Sequence, residues 1–341
     1  LKDDACEIWA ASQSQTLDQA TAAKIAGLQP EQVTIHTLLA GGSFGRRANP
    51  TSDYIAEAVA TAKATRELNA PIRLMWTRED DIKGGYYRPL FVHRLTAGLD
   101  VQGKPTAWLQ RIVGQSILAG TPFVGMIKDG IDFTSVEGAS NLSYAIPNLR
   151  VELHSPQAGV PVLWWRSVGH THVAFATEVF IDELAVAAGQ DPYEYRRALL
   201  GDHTRHRAVL ELAAEKAGWG TPLPKGRGRG IAVHESFDSF VAQVAEVTVQ
   251  PDGSFKVDRV VCAVDCGVAV NPSVIEAQMQ GGIGFGLAAA LHGKITLKDG
   301  RVEQSNYADY PILRIGEMPK VEVHIAPSQA HPTGVGEPGV P

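Results

Sequence analysis

VAQVAEVTVQPDGSFKVDRVVCAVD, residues 241–265, decides the fold class. Two runs of alternating apolar and polar residues flank Pro251-Asp252-Gly253-Ser254. Alternation sends successive side chains to opposite faces of a strand, and an Asp-Gly pair adopts the positive-φ backbone of a tight turn. The stretch predicts an antiparallel hairpin. Behind it, NPSVIEAQMQGGIGFGLAAALHG (271–293) predicts a helix bearing glycines, two short strands flank Gly300, and VEVHIA (321–326) is another strand. Strands come in groups rather than in strict alternation with helices, so the expected class is α+β, with mixed sheets and packed helices.

Ahead of the hairpin, TPLPKGRGRG (221–230) is the expected linker between two units, 1–220 and 221–341. HVAFATEVFIDELAVAAG (172–189) has a 3.6-residue apolar period, and DPYEYRRALL starts a new helix with Asp191 as cap and Pro192 at its first position. RAVLELAAEKAG (207–218) is a third helix, and HRLTAGLDVQGKPTAWLQRIVG (93–114) is a hairpin turning at Gly103 and Pro105. Nearer the start, EIWAAS and QVTIHTLLA are strands around a helix, TLDQATAAKIAGL, with Thr16 as N-cap and Gly27 as stop. Residues 51–69 form an amphipathic helix capped by Thr51 or Ser52, and PIRLMWT (71–77) reads as a short buried strand.

The 341 residues carry a formal charge of -6, which disfavours a nucleic-acid surface, and no apolar run is long enough to span a bilayer as a helix. Three cysteines, Cys6, Cys262 and Cys266, are too few for a disulfide scaffold and read as small buried side chains.

Four loops bear chemistry. GGSFG (41–45) fits the nucleophile-elbow pattern around Ser43, but Pro50 follows where that motif needs a helix. Its three glycines better serve close approach of backbone amides to a ligand, with Phe44 projecting. WWRSVGHTH (164–172) sets Arg166 beside two tryptophans at a helix start, suited to an anionic or electron-rich ligand. His170 and His172 lack a third metal ligand at suitable spacing and read as packing residues. AQMQGGIGFG (277–286) fits G-x-G-x-x-A with Ala289 but follows no strand, so its glycines instead let a backbone or flat ligand come close. GVGEPGVP (334–341) holds Glu337 on a stiff loop with no sequence-adjacent cation, where a raised pKa and a base role are expected.

These loops, with LMWTREDDI, YYRP, FIDELA, ESFDSFVAQVAEV and VDCGVAVNPSVIEAQMQGG, resemble the large subunit of the molybdenum hydroxylases. The branch that fits is the isoquinoline 1-oxidoreductase beta subunit and its aldehyde-oxidising relatives. The resemblance implies a molybdopterin cofactor, in its cytosine dinucleotide form, that carries the molybdenum with no direct protein ligand. It implies oxidation of an aldehyde or N-heteroaromatic carbon with oxygen from water, with Glu337 as the base. The turn Gly41, Gly42, Ser43, Phe44 and Gly45 would meet the cofactor, Phe44 would wall the substrate site, and Gln13, Arg166 and Gln278 would contact the cofactor or substrate. A purine-gripping acid is expected near Ala48, where none stands beside Arg46 and Arg47, so purines are disfavoured. No iron–sulfur cysteine pattern is present, so the resemblance places [2Fe–2S] clusters in a small partner subunit, with a cytochrome c as further acceptor. The opening LKDDACEIWA reads like the middle of a strand region, and the expectation is the C-terminal part of a longer bacterial subunit whose remainder lies upstream. By the same resemblance it is periplasmic or on the periplasmic face of the membrane, with the cytoplasm left open. Two other readings stand beside this one: a serine hydrolase using Ser43, and a noncatalytic relative serving as a binding module.

Overall fold

The computed structural model describes all 341 residues. The expected hairpin forms the middle of a four-stranded sheet. Its strands are β6 (Arg227–Ser236), β7 (Ser239–Val249), β8 (Phe255–Asp265) and β11 (Lys320–Ile325), in the order β11-β8-β7-β6, with β11 parallel to β8 and the others antiparallel.

Both faces of this sheet are covered. Ala242, Val244, Val261 and Ala263 share one core with Ile181 and Leu184 of α4 (His170–Ala187), Tyr195 and Leu199 of α5 (Pro192–Leu200), and Val209 and Leu210 of α6 (Thr204–Ala217). On the other face, Val241, Val260, Cys262 and Val264 pack against Ile275, Met279 and Ile283 of α7 (Pro272–Leu291). Double coverage explains why Val260–Val264 is an unbroken apolar run: both pleat faces of β8 leave water. Burial pushes the Cys262 thiol up to about 12, so it is inert packing.

Two smaller sheets complete the fold. β1 (Cys6–Ala10) pairs in parallel with β2 (Val33–Thr37) against α1 (Gln15–Ala26) and α2 (Asp53–Ala64). β3 (Phe91–Leu99), β4 (Pro105–Gly114) and β5 (Leu149–His154) form a three-stranded sheet. The short α3 (Arg78–Gly84) and the two-residue strands β9 (Leu297–Lys298) and β10 (Arg301–Val302) lie at the periphery. No helix is long and apolar enough to cross a membrane.

Asp191 caps α5 as expected, accepting from the amides of Tyr193 and Glu194 at 2.9 and 3.1 Å. Behind that cap lies a buried ionic lock. Arg196, fully buried, donates to Glu178 Oε2 at 2.8 Å, to the Glu178 carbonyl at 2.8 Å and to Asp182 at 2.5 Å. Glu178 also accepts from Tyr144 Oη at 2.8 Å and from the Val233 amide at 3.0 Å, so the lock ties α4 to α5 and to β6. Of the two acids in the FIDELA stretch, Asp182 belongs to this lock rather than to the site.

Several local expectations are corrected. The first helix starts at Gln15 with Ser14 at its N-cap, not at Thr16, while Gly27 does end it with φ 80°. α2 begins at Asp53, and Ser52 precedes it with φ 48° and makes no side-chain cap. Residues 227–230 of the expected linker are strand: Arg229 reaches across to Glu246 at 2.9 Å, and the core on that face runs from Trp108 to Ala326 without a break at residue 220. PIRLMWT forms no strand among these residues and is largely exposed.

Candidate functional site

Arg166 is the hub. It follows Trp164 and Trp165 on the approach to α4, and its backbone amide donates to the Phe44 carbonyl at 3.2 Å. Its Nε donates to the Gly336 carbonyl at 2.6 Å, and its Nη2 to Gln278 Oε1 at 3.0 Å. One residue thus joins the glycine turn, the carboxylate loop and α7. All three of its side-chain acceptors are neutral oxygens, so the guanidinium keeps its charge uncompensated except by nearby Glu337.

The glycine turn is built by positive backbone angles. Gly42 has φ 125°, Phe44 φ 54° and Gly45 φ 105°. A Cβ on Gly45 would lie 2.5 Å from the Trp164 carbonyl, and the Trp164 ring nitrogen donates to the Gly45 carbonyl at 3.1 Å. The amides of Gly41 to Gly45 find no acceptor within the protein. Five unpaired N–H groups on one exposed turn are free to donate to an oxygen-rich ligand, which makes the turn a candidate cradle. Ser43 Oγ donates to Gln13 Oε1 and accepts from the Arg47 amide at 3.1 Å, which leaves the Gln13 amide nitrogen as a further donor beside the cradle.

Ser43 has no activating base beside it. Its hydroxyl is committed to Gln13 and Arg47, no histidine contacts it, and a 3-10 turn at Arg46–Ala48 stands where a nucleophile elbow needs a helix. Arg46 and Arg47 also turn from the cradle. Arg46 pairs with Asp53 at 2.7 Å, and Arg47 lies over the Tyr54 ring.

Phe285, which the sequence reading passed over, holds the loops together from α7. Its ring stacks on Phe44 with centroids 4.6 Å apart and on Trp165 at 4.4 Å. It lies between the helix glycines, and those glycines do admit another backbone. A Cβ on Gly282 would stand 2.8 Å from Gly339, and one on Gly286 2.6 Å from the Val340 carbonyl. The GEPGVP loop is thereby seated on α7.

Glu337 is half-buried on that loop. Burial raises its carboxyl above the ordinary glutamate range, while the Ser167 amide and Arg166 oppose the rise. The loop is held by main-chain contacts: Ser167 Oγ donates to the Glu337 carbonyl at 2.5 Å, and the Val340 amide donates to the same oxygen at 3.0 Å.

A second carboxylate, Glu137, was not anticipated. It accepts from the Gly169 amide at 2.8 Å, directly after Ser167 and Val168, whose φ values are 76° and 48°. A β-branched residue at positive φ is strained, and the turn persists because its flanks are pinned. Gly169 cannot be replaced there, since its Cβ would meet the Thr134 carbonyl at 1.9 Å. Burial, aided by Glu337, Asp132 and Glu235, pushes Glu137 up to about 7 against the opposing Gly169 bond. The sequence signal was weak: a glutamate before Gly138 in a turn-rich stretch.

Glu137 therefore binds its proton more tightly folded than unfolded. Its contribution to stability is full below pH 4.5 and is lost as pH rises through 7. Wild type should lose up to roughly 3 kcal/mol relative to Glu137→Gln over that window. Urea unfolding of both proteins across pH 4.5 to 8 checks this, and parallel pH dependences would remove Glu137 from the account.

The histidines of this loop are packing residues, and no group of three or more potential ligands for a metal ion is present. His170 Nδ1 meets His234 Nε2 at 2.9 Å and His172 Nδ1 meets His93 Nε2 at 2.9 Å, with burial pushing His170 down to about 4 and His172 to about 3. Of the anticipated residues, Gly41 to Gly45, Gln13, Arg166, Gln278 and Glu337 fall in one connected cluster.

Comparison with known proteins agrees in kind. Residues 1–200 match the model of a molybdopterin cofactor-binding domain, and residues 172–319 match a second model of the same description. The chain is 30% identical, over 99% of its length, to 43% of the isoquinoline 1-oxidoreductase subunit beta of Brevundimonas diminuta. It is 28% identical, again over 99%, to 47% of a membrane-bound aldehyde dehydrogenase (pyrroloquinoline-quinone) of Gluconacetobacter polyoxogenes. The chain thus spans less than half the length of these two relatives. The fold is that of quinoline 2-oxidoreductase from Pseudomonas putida 86, with a TM-score of 0.81 at 13% identity over 98% of this chain and 67% of that one. A Cu,Mo-CO dehydrogenase gives a TM-score of 0.79 at 14% identity over 97% and 67%.

Proposed function

Because the chain belongs to the molybdopterin cofactor-binding family, we propose that its loop cluster holds the molybdenum cofactor of a hydroxylase that oxidises an aldehyde or an N-heteroaromatic carbon with oxygen from water. One observation carries the reading: Arg166 alone bonds the Phe44 carbonyl of the glycine turn, the Gly336 carbonyl beside Glu337 and the Gln278 side chain, so the turn with its five unpaired amides, the carboxylate loop and α7 form one connected set. That donor set suits a phosphate-bearing, oxygen-rich cofactor and offers no direct ligand to a metal.

When bound, the cofactor would supply the metal that activates water and takes up the two electrons. The residues of this chain do the rest. Gly41 to Gly45 and Gln13 donate hydrogen bonds to it. Arg166 and Gln278 fix its position against α7. Phe44, backed by Phe285, walls one side of the substrate. Glu337 receives the proton at its carboxylate, its raised pKa making it a better acceptor than an ordinary surface glutamate. Both halves of the sequence contribute, residues 1–220 with the glycine and arginine loops and residues 221–341 with α7 and the carboxylate loop.

The finer assignments follow the same resemblance: a cytosine dinucleotide form of the pterin, a small [2Fe–2S] subunit and a cytochrome c as onward acceptors, and a periplasmic location. The named relatives act on quite different substrates, and both an aldehyde and an N-heterocycle suit an apolar wall of Phe44 and Phe285. The test is to purify the assembly, measure its molybdenum and pterin, and follow dye reduction with benzaldehyde or isoquinoline. Molybdenum near one atom per chain with substrate-dependent reduction is expected. An assembly that carries neither metal nor pterin would return the chain to the binding-module reading, and ester hydrolysis lost in Ser43→Ala would favour the hydrolase.

A further inference from the structure

A groove of about 1120 Å³ is lined in part by Leu38, Leu39, Arg46 and Arg47, residues that flank the glycine turn. Its floor is α2, where Ala58 and Ala62 leave room; one wall is β1 and the other is the segment 69–78. β1 is hydrogen-bonded on one side alone, to β2, so its second edge faces the groove. On the opposite wall, residues 70–76 neither donate nor accept a backbone hydrogen bond.

Natural proteins blunt free strand edges with charge, bulges or cover. Charge is present along this groove, at Lys2, Glu7, Arg66 and Arg73, yet large apolar side chains stay open as well: Trp9 is 59% and Met75 74% exposed. Such a patch, with two rows of unpaired peptide groups facing one gap, is the surface of a sheet that lacks a strand. Neighbouring strands lie about 4.8 Å apart, so a strand between the walls would satisfy both edges at once. The segment 71–76 forms a wall and cannot also fill the gap. In the two relatives named above, more than half of the polypeptide is not matched by this chain.

We propose that the groove receives a β-strand from that other part of the molybdenum-binding subunit, giving the strand order β2, β1, inserted strand, 71–76, above α2. The inserted strand alternates, with its apolar side chains toward Ala58 and Ala62. PIRLMWT is then a strand after all, as its composition implies, but one whose partner lies outside these residues. Arg46 and Arg47 line the groove directly after Gly45, so the strand would also brace the cofactor turn. The inference rests on the groove and the family, and stands apart from the assignment of Glu337.

Amide hydrogen exchange on the intact assembly tests it. Alternate amides of Ile72 to Trp76, those facing the inserted strand, should exchange on the order of a hundredfold slower than unprotected peptide. Unprotected rates there would overturn the proposal. A photo-crosslinking residue in place of Met75 tests the occupant. Adducts with sequence of the same polypeptide outside these 341 residues are expected, whereas adducts within them, with a second copy, or with a separate subunit would overturn it.

Discussion

Glu337→Gln should lower kcat about a thousandfold or more, within the span of a lost general base, while molybdenum and pterin stay bound. The substitution removes the proton acceptor and almost nothing else. What seats this loop is main chain: the Gly336 carbonyl on Arg166, the Glu337 carbonyl under Ser167 and Val340, and Gly339 packed on Gly282. A glutamine leaves each of those contacts in place. The sign of the pH dependence follows from the raised carboxyl. A base works ionised, so wild-type kcat/KM falls as pH drops through that raised pKa, at higher pH than for an ordinary glutamate. The residual activity of the variant should lack that limb. Turnover within tenfold of wild type, with cofactor loaded, would remove Glu337 as base.

Arg196→Ala should destabilise the fold by about 3–5 kcal/mol, the cost of leaving buried charge unpaired. Glu178 and Asp182 would lose their cation, and Glu178 is itself buried between α4, Tyr144 and β6. The lock has a functional reach, since α4 begins at His170, just behind the strained turn that presents Arg166. Lower cofactor occupancy should therefore accompany the lost stability. A double variant, Glu178→Gln with Arg196→Met, should recover part of the loss, because it removes the charges together. Urea unfolding of the three proteins measures this, and a loss under about 1 kcal/mol for Arg196→Ala would mean the pair is solvated after all.

What could be read in advance was whatever local pattern decides. The hairpin at 241–265, the Asp191 cap and the glycine-bearing helix are set by alternation, by a side chain reaching its own backbone, and by small residues at close approach. The failures share a cause, which is pairing at long range. The Gly-Arg-Gly-Arg stretch looks like a linker until Glu246 is seen opposite Arg229, where the glycines become the small partners of a strand. PIRLMWT has strand composition but lacks a ladder partner among these residues. At the site, most anticipated residues carried their own signal: glycine clusters, an arginine beside tryptophans, a glutamate between glycine and proline; Gln13 and Gln278 came from the resemblance alone. Glu137 carried a weak signal and Phe285 none, because their importance comes from the Ser167–Val168 turn and the Phe44 ring, which the chain brings to them only on folding.

Anomalous diffraction at the molybdenum edge, on crystals of the intact assembly, puts the central claim to its most direct test. A single peak facing the Glu337 carboxylate and the amides of the Gly41–Gly45 turn, with Phe44 alongside, is the predicted result. A peak elsewhere, in the groove beside β1 or near the histidine pairs of α4, would contradict it.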